Sequence, residues 1–175
     1  MQTGPSSARR SADVTIRPAT ASDLEAINAI YNHYVLHSTC TYQEVPESVE
    51  GRREWFVRHG PEHPVIVAEL EGRVVGWGAL SAYRTRTAYR HTVENSVYVE
   101  EGLRGRGIGT ALLGRLLELA QALGHHAVIA VIDAEQAPSL ALHARFGFQE
   151  VGRFREIGHK FGRWLDVVYL ELLLP

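Results

Sequence analysis

The chain has 175 residues, 45% of them hydrophobic, and a formal net charge of −2. That suits one domain with a sizeable core and excludes bulk electrostatic attraction to nucleic acid or an anionic membrane surface. One cysteine, Cys40, excludes an intramolecular disulfide, and no segment approaches the roughly 20 apolar residues of a membrane span, so cytoplasmic residence is expected.

Residues 1–12, polar and rich in small side chains, read as a disordered tail ahead of a single domain over residues 13–175. Arg9-Arg10 is not followed by an apolar run, so it is no export signal. Residues 14–17 read as a first strand, ended by Pro18. Thr20 or Ser22 is placed to cap a helix whose apolar residues Leu24, Ile27, Ile30, Tyr31 and Tyr34 recur at three and four, the mark of one buried face. Ser48 opens a second helix through Trp55-Phe56. Two β-branched runs, 65–68 and 74–78, flank Glu71-Gly72, a hairpin signal, and residues 91–99 read as another strand. Beyond residue 107, Ile108, Leu112, Leu116, Leu119 and Leu123 form a helical apolar stripe that Gly124 ends. Residues 127–133 are a β-branched strand, 137–148 a short helix ended by glycine and re-entering a strand, and 166–174 a last strand. The order predicts an α/β (α+β) fold with helices on both faces of a mixed sheet.

The most informative segment joins the 91–99 strand to the helix after residue 107. Its alternate glycines Gly105, Gly107 and Gly109 let the backbone turn and aim several N–H groups at one point, where the helix N-terminus adds partial positive charge and Arg104 and Arg106 add full charges. A pyrophosphate is the expected occupant. No Gly-Lys-Ser/Thr is present, which excludes a nucleotide-triphosphate P-loop, and the spacing does not fit the dinucleotide fingerprint G-x-G-x-x-G. It fits R-x-x-G-x-G from Arg104 through Gly109.

That loop resembles the coenzyme A pyrophosphate loop of the GNAT (Gcn5-related) N-acetyltransferases, and the order of elements around it resembles the family over nearly the whole chain. Ile30-Tyr31-Asn32-His33-Tyr34-Val35, Thr92-Val93-Glu94-Asn95-Ser96-Val97-Tyr98-Val99 and Lys160-Phe161-Gly162-Arg163-Trp164-Leu165-Asp166 resemble the branch of phosphinothricin and methionine sulfoximine acetyltransferases. The resemblance implies a mostly antiparallel sheet whose central strands splay to admit the cofactor's pantetheine arm. It implies acetyl-CoA held by Val97, Tyr98, Val99, Arg104, Gly105, Arg106, Gly107, Ile108, Gly109, Thr110, Gln136 and Ser139, and no metal. It implies Glu94 as general base, a carboxylate whose pKa must rise toward working pH, and His143 as proton donor to the leaving thiolate, with a satisfied helix histidine as the alternative. An amino-acid analogue would meet Arg84, Thr85, Arg86, Glu94, Asn95 and Ser96, since arginine forks suit an α-carboxylate, with Tyr42 and Cys40 roofing the pocket. Related proteins are often homodimers, and the Trp164 segment is a candidate interface or pocket wall. Gln136 stands where many relatives have asparagine, and Thr85 and Thr87 replace prolines common in the branch.

Other signals are weaker. His33 and His37 have zinc-compatible spacing without the Glu of H-E-x-x-H, and Cys40 lacks a local Cys-His signature. His125-His126 reads as a helix-end cap, and Trp55 and Trp77 as core or interface. The alternatives to an amino-acid-analogue acetyltransferase are a GNAT enzyme for a polyamine or protein N-terminus, which the arginine-rich loop disfavours for the polyamine, and a non-catalytic acyl-CoA sensor.

Overall fold

A computed structural model describes residues 14–175; the expected tail, residues 1–12, lies outside the described residues. The strands are β1 (Thr15–Pro18), β2 (Val65–Leu70), β3 (Arg73–Ala82), β4 (Thr92–Val99), β5 (Ala127–Asp133), β6 (Gln149–Lys160) and β7 (Arg163–Leu173). The α-helices are α1 (Leu24–His37), α2 (Val49–Arg58), α3 (Ile108–Ala122) and α4 (Ala137–Arg145). The strands form one sheet in the order β1-β2-β3-β4-β5-β7-β6. Among the described strands only β4 and β5 pair in parallel.

Alternation along the strands divides the apolar side chains between two cores. In β2, Ile66 and Ala68 join α3 residues Ile108, Leu112 and Leu116 on one face, while Val65 and Val67 join α1 residues Leu24, Ile27 and Ile30 on the other. Gly76 and Gly78 of β3 let α3 lie close: a Cβ on Gly78 would meet Leu116 Cδ1 at 2.9 Å. Trp77 is buried between Trp55, Tyr31 and Tyr98, whereas Trp164 is 63% exposed.

The ends of the elements differ from expectation in small ways. A short 3-10 turn, Ala21–Asp23, precedes α1, because the Asp23 carboxylate turns back to accept from Thr20 N at 2.7 Å and Thr20 Oγ1 at 3.0 Å. Ser48 caps α2 through Gly51 N at 2.9 Å. Gly124, at φ 77, follows α3 in the left-handed region that favours glycine. The last strand begins at Arg163, earlier than expected, because Phe161 and Gly162, both at positive φ, make a tight hairpin with β6.

Candidate active site

The parallel ladder of β4 on β5 runs from Thr92↔Ala127 to Glu94↔Ile129 and stops there. Beyond it β4 continues on β3 as far as Val99, and β5 continues on β7 as far as Asp133. The two central strands therefore part at Glu94. A cavity of about 940 Å³ occupies the gap, lined by Glu94 to Val99 of β4, Ala130 to Asp133 of β5, the glycine loop, and α4.

Backbone alternation decides which amides face the opening. Glu100 N donates to Val75 O and Tyr83 N to Thr92 O, so the even-numbered residues of β4 exchange hydrogen bonds with β3. Val97 and Val99 consequently turn their N–H groups toward the gap. Tyr98, one of the residues the resemblance places on acetyl-CoA, points its N–H at β3; its ring stacks on Trp77 with centroids 4.8 Å apart.

The glycine loop closes one end. Gly105 and Gly107 have φ of 76 and 81, and a Cβ at either would meet no protein atom within 4 Å. The first main-chain hydrogen bond of α3 is Ala111 N to Gly107 O, which leaves the N–H groups of Ile108, Gly109 and Thr110 free at the helix start. This set of free amides is the chemistry a pyrophosphate requires. Arg104 lines the same cavity, its Nη1 on Glu101 at 3.0 Å. Arg106 is exposed and outside the lining.

Side chains on the two faces of β4 carry different chemistry. Glu94 is partly buried, and desolvation raises its pKa above the usual carboxylate value, which the Arg84 charge only partly offsets. Asn95, on the opposite face, donates Nδ2–H to His143 Nε2 at 2.9 Å. His143 Nδ1 lies 2.8 Å from Ser139 O, and a carbonyl accepts only, so the ring proton sits on Nδ1. Burial also lowers the His143 pKa. In this arrangement His143 presents no proton to the cavity.

The connection after α1 forms the roof, held from several sides. Lys160 Nζ, 1% exposed, donates to Ser38 O and Thr41 O, each at 2.7 Å. Thr39 donates to buried Asp133, and Gln136 Nε2 reaches Thr39 Oγ1 at 3.2 Å. Gln136 thus spends its amide on the roof. Tyr31 joins Thr41 and Gln43, each at 2.9 Å. Tyr42 packs on Gly158, and its buried hydroxyl has no partner among the described residues. Cys40 lines the cavity with its thiol pKa raised by burial, the reverse of what a nucleophile needs.

The structure thus gathers Glu94, Asn95, Ser96, Val97, Tyr98, Val99, Arg104, Gly105, Gly107, Ile108, Gly109, Thr110, Gln136, Ser139 and His143 around one cavity. Arg84, Thr85 and Arg86 stand on an exposed loop outside its lining. His33 and His37 lie 4.9 Å apart, and among the described residues no group of three metal-ligating side chains includes them. Sequence reasoning missed Asp133, Thr39, the function of Lys160, and Tyr34, which lines the cavity and donates its hydroxyl proton to Val99 O. Asp133 had one available signal, its place at the C-terminal end of a parallel strand.

A sheet split beside a loop of free amides at a helix start fits the acyl-CoA site that the sequence resemblance implies. The acetyltransferase (GNAT) family pattern matches residues 27–148, and the chain belongs to that family. It is 40% identical over 162 residues to the L-methionine sulfoximine/L-methionine sulfone acetyltransferase of Pseudomonas paraeruginosa, covering 91% of this chain and 94% of that one. It is 39% identical over 164 residues to the phosphinothricin N-acetyltransferase of Streptomyces coelicolor, covering 91% and 96%. A crystal structure of a phosphinothricin acetyltransferase from Sinorhizobium meliloti in complex with acetyl-CoA superposes with a TM-score of 0.90 at 42% identity, covering 92% of this chain and 88% of that one. The protein is an N-acetyltransferase that uses acetyl-CoA.

Proposed function

We propose that the chain transfers acetyl from acetyl-CoA to the α-amine of a small amino-acid analogue of the phosphinothricin, methionine sulfoximine or methionine sulfone type, by direct attack in a ternary complex. The observation that carries this reading is the position of Glu94, a carboxylate with raised pKa where the central strands part, beside the open amides of Val97 and Val99. The names of the relatives support the substrate class.

Glu94 takes a proton from the amine, whose nitrogen attacks the thioester carbonyl; a C–N bond forms, the C–S bond breaks and coenzyme A leaves as thiolate. The Val97 and Val99 N–H groups receive the oxyanion charge. A well-aimed donor of that kind is worth on the order of 10² to 10³ in rate. The amides from Gly105 to Thr110, with Arg104, hold the pyrophosphate. Arg84, Thr85 and Arg86 belong to the acceptor side of the proposal, supported by the field of Arg84 at Glu94.

A homodimer is part of the same reading. β6 is a 12-residue edge strand whose outer side is unpaired among the described residues, and it exposes Val151, Phe154 and Ile157 beside Phe161 and Trp164 of the hairpin. An apolar edge of that length is a template for pairing with another chain. Need of acetyl-CoA and the free thiol of Cys40 support a cytoplasmic location.

The test is coenzyme A release from acetyl-CoA across a panel of methionine sulfoximine, methionine sulfone, phosphinothricin, ordinary amino acids, polyamines and an N-terminal peptide. Saturable turnover confined to the amino-acid analogues is expected. Turnover only with polyamine or peptide overturns the acceptor assignment, and tight acetyl-CoA binding without turnover points to a sensor.

A further inference from the structure

Asn95 and His143 are 7% and 4% exposed, and both line the cavity. Their pairing leaves one group over. His143 commits its Nδ1 proton to Ser139 O and its Nε2 lone pair to Asn95 Nδ2–H, while Asn95 Oδ1, buried, has no partner among the described residues. A buried carbonyl oxygen without a donor is costly, by about 1–3 kcal/mol. It is tolerated where a ligand supplies the donor. The His143 bonds also fix the amide's orientation, since turning it would set Oδ1 against a ring nitrogen that has only a lone pair.

The donor is identified by the faces of β4. Side chains of successive strand residues point to opposite sides. An amine that loses its proton to Glu94 lies on the Glu94 face, so the N–H that reaches Asn95 comes from something else in the gap. The pantetheine arm of coenzyme A carries amide N–H groups. We propose that Asn95 Oδ1 accepts an amide N–H of the pantetheine arm, and that His143 is the positioning residue that holds Asn95 in the accepting orientation. The proposal rests on acetyl-CoA lying in the gap between β4 and β5.

It has a consequence in pH. An imidazolium would donate from Nε2 and force Asn95 to turn Oδ1 toward the ring, removing the acceptor from the ligand. Among the described residues no charged side chain acts on His143: α4 brings the Ser139 carbonyl and exposed Arg145, the chain ahead of β6 brings Phe148 edge-on at 5.0 Å, and Glu94 belongs to the other face of β4. Burial keeps the ring neutral to below its ordinary pKa, so affinity for coenzyme A falls as pH drops through that lowered value.

Calorimetric titration of the full chain with coenzyme A tests this. Asn95→Ala and His143→Ala are each expected to weaken binding about threefold to tenfold at pH 7.5, and the double variant to be no weaker than either single one. The acid limb of affinity should vanish in all three. Unchanged affinity in Asn95→Ala, or effects of the two substitutions that multiply, overturns the proposal, as does a rise confined to the amine KM. Imidazole nitrogen NMR of the wild-type chain gives a readout that needs no variant to fold. A neutral ring with its proton on Nδ1 at pH 7.5 supports the pair; a charged ring or the other tautomer overturns it. Failure of the wild-type chain to bind coenzyme A removes the proposal by removing its foundation, a result distinguishable from failure of the pair.

Discussion

Two carboxylates in this molecule, Asp23 ahead of α1 and Glu94 in β4, are withdrawn from water in opposite ways. Asp23 receives Arg17 Nη1 and Nη2 at 2.8 and 2.9 Å and two bonds from Thr20, and the Arg17 guanidinium pulls its pKa down to about 2. Glu94 forms none of the ion pairs found among the described residues, and burial drives its pKa up. The first arrangement stabilises the fold and leaves the group inert. The second taxes stability at neutral pH and leaves a carboxylate able to take a proton.

The strongest way to break this contrast is Glu94→Gln. Turnover should fall by roughly 10² to 10⁴, coenzyme A affinity should hold, and the melting temperature at pH 7.5 should not fall. The sign follows from the raised pKa: ionised Glu94 is disfavoured in the folded state, so its contribution is lost as pH rises through the folded value. In the wild-type enzyme kcat should decline as pH drops through that value. A variant that melts much earlier, or turns over normally, would sink the assignment of Glu94 as base.

Asp23→Asn should do the reverse, lowering stability by about 2 kcal/mol at neutral pH with kcat little changed. Because the Asp23 pKa is depressed from 3.8 to about 2, the wild-type advantage is complete above pH 4 and disappears as pH falls toward 2. Urea denaturation at pH 7 and at pH 3 checks it; equal losses at both would refute the ion-pair account.

Gly107→Ala sharpens the comparison at the cradle. Its Cβ meets no protein atom within 4 Å, but φ is 81, so a cost of about 1 kcal/mol is expected. Coenzyme A affinity should fall more than stability does, as titration against thermal melting will show. Tyr42→Phe should have the smallest effect. Removing a buried, unpartnered hydroxyl should leave stability within about 1 kcal/mol of wild type. Any shift should appear in the amine KM alone.

Local chemistry made half of this site legible in the sequence. Gly105, Gly107 and Gly109 followed by the α3 stripe point to an anion cradle, and the β-branched run of β5 reads directly as a buried strand. The split of the sheet is invisible because side-chain periodicity in β4 is the same whether or not β5 pairs with it; Val97 and Val99 alternate as Val93 does. The two faces of β4 were legible in principle, but Asn95 met His143 only through the placing of α4. β6 hides for another reason. Register shifts between Glu150 and Gly152 and between Phe154 and Gly158 break its alternation of two. The Arg84 loop shows the limit of reading charge along a chain, since its arginines lie outside the cavity lining that Glu94 enters.

Lys160 is the only lysine in the sequence, and it is buried under the roof it pins. An enzyme that carries a reactive thioester therefore presents no lysine amine on its described surface for that thioester to acylate by accident. The same economy makes the chain a reporter: labelling of Lys160, read apart from the N-terminal amine, should proceed as the 38–41 segment that holds it lifts away, so that its rate times the opening of the roof.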